Sequence, residues 1–172
     1  MKETEHTVDV NASPSEVIDL LLDEDVYPGR LADQIEKVSR VEFVESETLD
    51  DGRIRHVLRF TAPTQLPRPL RKFRDKAPEV IHWDEITIID RDSGKATVEI
   101  VPDVPDHWHQ KYDNRGELFV EQISEGHSRV HQSLDFSLDA PTGFGLFLNR
   151  AVKGEVQNVL QAKADLLRHY FE

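Results

Sequence analysis

Period-two alternation governs the middle of the chain. In RIRHVLRFTA, Ile54, His56, Leu58 and Phe60 fall on one face of an extended strand, and Arg53, Arg55, Val57 and Arg59 on the other. Residues 128–138 repeat the pattern, with Val130, Gln132, Leu134, Phe136 and Leu138 facing one way and Arg129, His131, Ser133, Asp135 and Ser137 the other. Residues 116–123 pair with that strand across Glu125-Gly126. Residues 80–90 pair with 95–101 across Asp92-Ser93-Gly94, where glycine supplies the turn conformation a hairpin needs. Residues 4–11 and 38–47 read as two further strands.

Elsewhere the period lengthens to that of a helix. Ser13 precedes Pro14 and stands three residues before Glu16, which is an N-cap, a proline at the first helical position and a capping-box acid. A short apolar helix follows, ending near Asp23, and a second runs from about Tyr27 to Glu36. Residues 146–171 predict one long amphipathic helix. Its apolar stripe carries Leu148, Val152, Val156, Val159, Leu166 and Tyr170, with Arg150, Lys153, Gln157, Gln161 and Arg168 opposite. An antiparallel sheet must cover its apolar face, and this helix is the one long element available to do so.

This order of elements, with NASPSEVIDLLLDEDVYPGRLADQIEKVSRVEFVES near the start and GHSRVHQSLDFSLDAPTGFG leading into the last helix, resembles the START-like superfamily. That is the helix-grip (SRPBCC) fold shared by the birch pollen allergen, polyketide cyclases and lipid-transfer domains, and the likeness is to a bacterial branch of it. The resemblance covers essentially the whole chain. It implies an α+β fold in which a curved antiparallel sheet of about seven strands wraps around the C-terminal helix, with two short helices after strand 1. It also implies a cavity between sheet and helix for an apolar ligand, at which some members do chemistry.

Composition narrows the function. At 172 residues the chain is expected to form one domain. Hydrophobic residues make up 38% and charged residues 31%, which suits a globular protein, and no apolar run reaches the roughly 20 residues of a transmembrane helix. With no cysteine there is neither a disulfide framework nor a thiolate site. A net charge of −12 argues against nucleic acid as a partner, because phosphates repel such a surface. The charged, alternating start reads as neither signal nor transit peptide, so a cytoplasmic location is expected. One stretch departs from the balance: between Leu66 and Pro78, five basic residues face the single acid Asp75, giving +4 against −16 for the remainder.

DHWHQKY, residues 106–112, places His107 and His109 on one side of an extended chain, as a metal pair would need. His82, Asp106 or Asp113 could be proposed as a third ligand, but no recognised metal motif supports the set. The prolines and acids around it read as an irregular connection at a cavity mouth, and neither metal nor cofactor is expected.

Three polar residues interrupt inward faces: His56, Gln132 and Lys163. A buried polar group needs a partner, so these either satisfy one another, meet an acid such as Glu117 or Glu121, or face a ligand or water. The candidate ligand contacts are His56, Leu58, Phe60 and Gln132 on the sheet and Val152, Val156, Val159 and Lys163 on the helix. Trp83, Trp108 and Tyr112 are candidates for the mouth. No nucleophile elbow, P-loop or dinucleotide fingerprint is present, and no catalytic residue is assigned. The expected function is binding or transport of a hydrophobic or amphipathic small molecule, such as a lipid. A cyclase- or hydrolase-like enzyme using the same pocket is the alternative, and a protein-interaction module with a filled core the third reading. Arg68, Arg71, Lys72 and Arg74 could dock to an anionic membrane or partner, or serve only as a solvated connection.

Overall fold

The computed structural model describes residues 4–63, 79–103, 114–135 and 145–172, and on the last helix the side chains from Gln157 onward. Strand β1 (Thr4–Val10) leads into helices α1 (Pro14–Leu21) and α2 (Tyr27–Gln34). Six strands follow: β2 (Arg40–Thr48), β3 (Ile54–Pro63), β4 (Val80–Asp90), β5 (Lys95–Pro102), β6 (Arg115–Ser124) and β7 (His127–Asp135). The last helix, α3, spans Gly145–Tyr170. The seven strands form one antiparallel sheet in the order β1-β7-β6-β5-β4-β3-β2, as the alternation predicts. Residues 136–138 of the last expected strand lie outside the described residues.

Local signals explain the element boundaries. At the start of α1 the Ser13 backbone N–H donates to Glu16 Oε2 at 2.8 Å, and the Glu16 N–H donates back to Ser13 Oγ at 3.3 Å. Two of the helix's orphan donors are thereby satisfied. Gly94 makes the tightest turn. Its φ is +71°, and a Cβ there would stand 2.5 Å from the Val120 carbonyl oxygen, so glycine is required for both reasons.

The core lies on the concave face of the sheet. Val17, Ile18 and Leu20 of α1, Tyr27 and Leu31 of α2, and Ala164 and Leu167 of α3 close over Val8, Val130, Leu58, Phe60 and Ile89. A smaller group of Ile100, Leu134 and Leu160 lies beside it, and Trp83 touches both. The expected stripe on the last helix needs one correction. Tyr170 is 46% exposed, whereas Leu166 is buried as expected, and the buried side also takes in Leu160, Lys163, Ala164 and Leu167, with Phe171 packed at its end. A 3.6-residue period started at Leu160 reaches Phe171 rather than Tyr170.

Candidate functional site on the concave face

Register places the polar residues of this face among apolar neighbours. Across β3 and β4, His56 opposes Thr87, Leu58 opposes Glu85, and Phe60 opposes Trp83. Side chains directly opposed in an antiparallel pair share a face. His56, Glu85 and Trp83 therefore all point toward α3. The Trp83 ring lies flat on Phe60, with centroids 5.3 Å apart and planes inclined by 8°. Ile81, two residues before Trp83 on the same face, is 39% exposed and marks where this face meets solvent.

Lys163 reaches down from α3 onto Glu85, its Nζ 2.6 Å from both carboxylate oxygens. Both residues are buried. The helix is thus tied to the sheet by an ion pair in which each charge cancels the other. Of the outcomes open to Lys163, pairing with an acid is the one observed, and the acid is Glu85 rather than the examples Glu117 or Glu121. Glu117 is exposed, and Glu121 sits on the convex face 3.0 Å from His131 Nε2.

His56 is 3% exposed and tilts against Phe43, with ring centroids 5.4 Å apart. Among the described residues neither of its ring nitrogens has a hydrogen-bond partner. Burial holds its pKa below the ordinary 6.5, and the nearby Glu85 carboxylate opposes this only in part. Tyr27 is buried close by on α2, and its phenol is pushed above the usual range by burial first and by the Glu85 charge second.

Gln132, on β7, stands between His6 of β1 and Leu118 of β6. It is buried, and its Nε2 lacks an acceptor among the described residues. His6 was not anticipated. It shares the inward phase of Val8 and Val10, so the alternation of β1 carried the signal. Its Nε2 lies 2.7 Å from Gln161 Oε1 on α3, while its buried Nδ1 has no partner among the described residues.

Of the anticipated contacts, His56, Leu58, Phe60, Trp83, Gln132 and Lys163 share the concave side, and Val159 packs against the core from α3. Val152 and Val156 lie on the helix, and their side chains are outside the description. Trp108, Tyr112, His107 and His109 lie outside the described residues, as do Arg68, Arg71, Lys72 and Arg74. His82 accepts or donates a hydrogen bond with Thr61 Oγ1 at 2.9 Å. Among the described residues no three His, Asp or Glu side chains gather as a metal site would require.

An open hollow of about 660 Å³ at the β1 edge is lined by Thr7, Val8, Asp9, Arg129, His131 and Arg168. Its polar side chains are engaged: Arg129 with Asp9, Arg168 with Asp165 and His131 with Glu121. It shares no residue with the Glu85–Lys163 region.

A family model described as "Protein of unknown function (DUF2505)" matches residues 5–171. No curated protein matches the sequence. Among solved structures, the Zhui aromatase/cyclase of Streptomyces sp. R1128 superposes with a TM-score of 0.67 at 17% identity, over 96% of this chain and 90% of its own. A protein of Thermus thermophilus gives a TM-score of 0.61 at 19% identity, over 96% and 97%. Ara h 8.0201 gives 0.55 at 12% identity, also over 96% and 97%. These likenesses show the fold, the helix grip expected from the order of elements.

Proposed function

The chain belongs to the DUF2505 family, and we propose that it binds a hydrophobic or amphipathic small molecule, such as a lipid, between the concave sheet face and α3. The observation that carries this reading is the buried His56, with two ring nitrogens unpartnered among the described residues. Leaving a buried polar group unsatisfied costs about 1–3 kcal/mol, so a residue of this kind fits a place where a ligand completes its hydrogen bonds. Leu58, Phe60, Trp83 and Val159 supply apolar contact. Val152, Val156, Trp108 and Tyr112 belong to the same proposal as further lining residues. Arg68, Arg71, Lys72 and Arg74 are proposed to guide the protein to anionic surfaces. The proposal takes the chain as one domain working in the cytoplasm.

A cyclase- or hydrolase-like reaction in the same place draws support from the aromatase/cyclase among the structural neighbours. Less in the site favours it. Lys163 engages both oxygens of Glu85, and His56 has no hydrogen-bonded acid among the described residues to make it a general base.

Nile red tests the reading. It should bind with the blue-shifted emission of an apolar site, and Val159→Trp, which fills space beneath α3, should weaken binding roughly tenfold. Native mass spectrometry of protein from its own host should show a bound small molecule. A chain that stays folded yet binds no dye, or binds it equally well with Val159→Trp, lacks the pocket and would fit a protein-interaction module instead.

A further inference from the structure

Two of the unpartnered atoms belong together. His6 and Gln132 are directly opposed across β1 and β7, which sets their Cβ atoms about 5 Å apart on the concave face. Their hydrogen-bond roles follow from the surface inward. Arg168 Nη2 and Gln161 Nε2 both donate to Asp165 Oδ1, at 2.9 and 3.0 Å. An ionised carboxylate only accepts, so the amide nitrogen of Gln161 must be the atom that faces it. The amide oxygen of Gln161 therefore faces His6, 2.7 Å from Nε2. That oxygen also only accepts, so Nε2 carries the ring proton. In the neutral imidazole, Nδ1 is then an acceptor with a free lone pair.

Beside this buried acceptor stands a buried donor, Gln132 Nε2, and among the described residues neither has a partner. They are not hydrogen-bonded to each other. A group placed between them must donate to Nδ1 and accept from the amide.

We propose that His6 Nδ1 and Gln132 Nε2 form a subsite for a hydroxyl group, and that the ligand is a neutral, mostly apolar alcohol or phenol. This rests on the pocket proposed above and specifies what fills it. A hydroxyl donates and accepts through one oxygen atom. An ether or ketone serves the amide but turns a lone pair toward Nδ1, and so does a carboxylate. An ammonium group satisfies Nδ1 and leaves the amide unpaired. The buried charges of Glu85 and Lys163 engage one another, so they offer no spare counter-charge to an ionised ligand.

The test is displacement of Nile red by three probes of matched chain length: 1-decanol, decyl methyl ether and decanoate. The wild-type protein should prefer the alcohol by roughly tenfold over either of the others, the scale of one buried donor or acceptor left unmet. In Gln132→Leu, which keeps the side chain's bulk, and in His6→Phe, the alcohol should fall to the level of the ether while Nile red still binds. Equal displacement by alcohol and ether in the wild type overturns the hydroxyl subsite and leaves the apolar pocket standing. An alcohol preference that survives in folded Gln132→Leu also overturns it, because the hydroxyl would then be read elsewhere. Absence of both dye binding and probe binding removes the pocket and the subsite together.

Discussion

The two faces of the sheet treat polar side chains in opposite ways. On the convex face, Arg59 holds Asp84 through two nitrogens at 2.8 and 3.0 Å, and Arg129 holds Asp9 at 2.7 and 3.1 Å. Arg55 pairs with Glu45, and His131 with Glu121. Water reaches all of these, so each group would be solvated without its partner. On the concave face Glu85 and Lys163 engage each other, and among the described residues His6, His56 and Gln132 keep atoms unpartnered. The same residue types are therefore interchangeable on one face and costly on the other. A polar group on the concave face carries a stability cost, and the proposed pocket would give a reason for it.

The contrast is broken most forcefully at Lys163. Lys163→Met leaves the Glu85 carboxylate buried without its counter-ion, and the loss should be about 3–5 kcal/mol in denaturant unfolding. Adding Glu85→Leu to the same chain should recover most of that loss, because a volume-matched apolar pair needs no desolvated charge. Should the double variant be as unstable as Lys163→Met alone, the effect would come from lost packing around the helix rather than from the orphaned charge.

His56 gives a smaller effect of opposite sign. His56→Phe removes two unpartnered nitrogens beside Phe43 and should raise stability by about 1 kcal/mol at neutral pH. It should also change the pH dependence. The folded pKa lies below the ordinary 6.5, so between these two values the unfolded chain binds a proton that the folded chain does not. Stability from this residue is full above 6.5 and is lost as pH falls through that value toward the folded pKa. Unfolding midpoints measured from about pH 7.5 to 5 should fall more steeply for the wild type than for His56→Phe. Parallel profiles would mean that the imidazole is solvated in the folded protein.

Much of this was legible in the sequence because the signals were local. Alternation in 53–62 and 128–135, the capping box at Ser13 and the glycines at 94 and 126 each act over a few residues, and the helix grip follows from their order. The inward placement of His56 and Gln132 came from the same alternation. Glu85 was missed for a physical reason. In VIHWDEITIID, Ile86 and Ile88 lie on the face opposite Glu85 and are themselves half-buried, so neither face of β4 reads as purely polar. Without a phase, the acid could not be assigned to the interior. The link from Lys163 to Glu85 spans 78 positions and depends on the seating of the helix over the sheet, which no local pattern specifies.

The smallest expected effect lies on the convex face at Arg59. Val57 is the anomaly there: it shares the face of Arg55 and Arg59 yet is 3% exposed. Its neighbours across the strands are Glu45 and Ile86, and the arginines on either side of it carry long apolar stems that can lie over it. Two substitutions separate the stem from the charge. Arg59→Met keeps an apolar chain over Val57 while removing the contact with Asp84, and its unfolding midpoint should match the wild type, since exposed ion pairs contribute little. Arg59→Ala removes both and should show a small loss that added salt does not change, because a packing contact is not screened. A loss in Arg59→Met approaching that in Lys163→Met would erase the distinction between the faces, since a solvated pair would then be holding the sheet as firmly as the buried one.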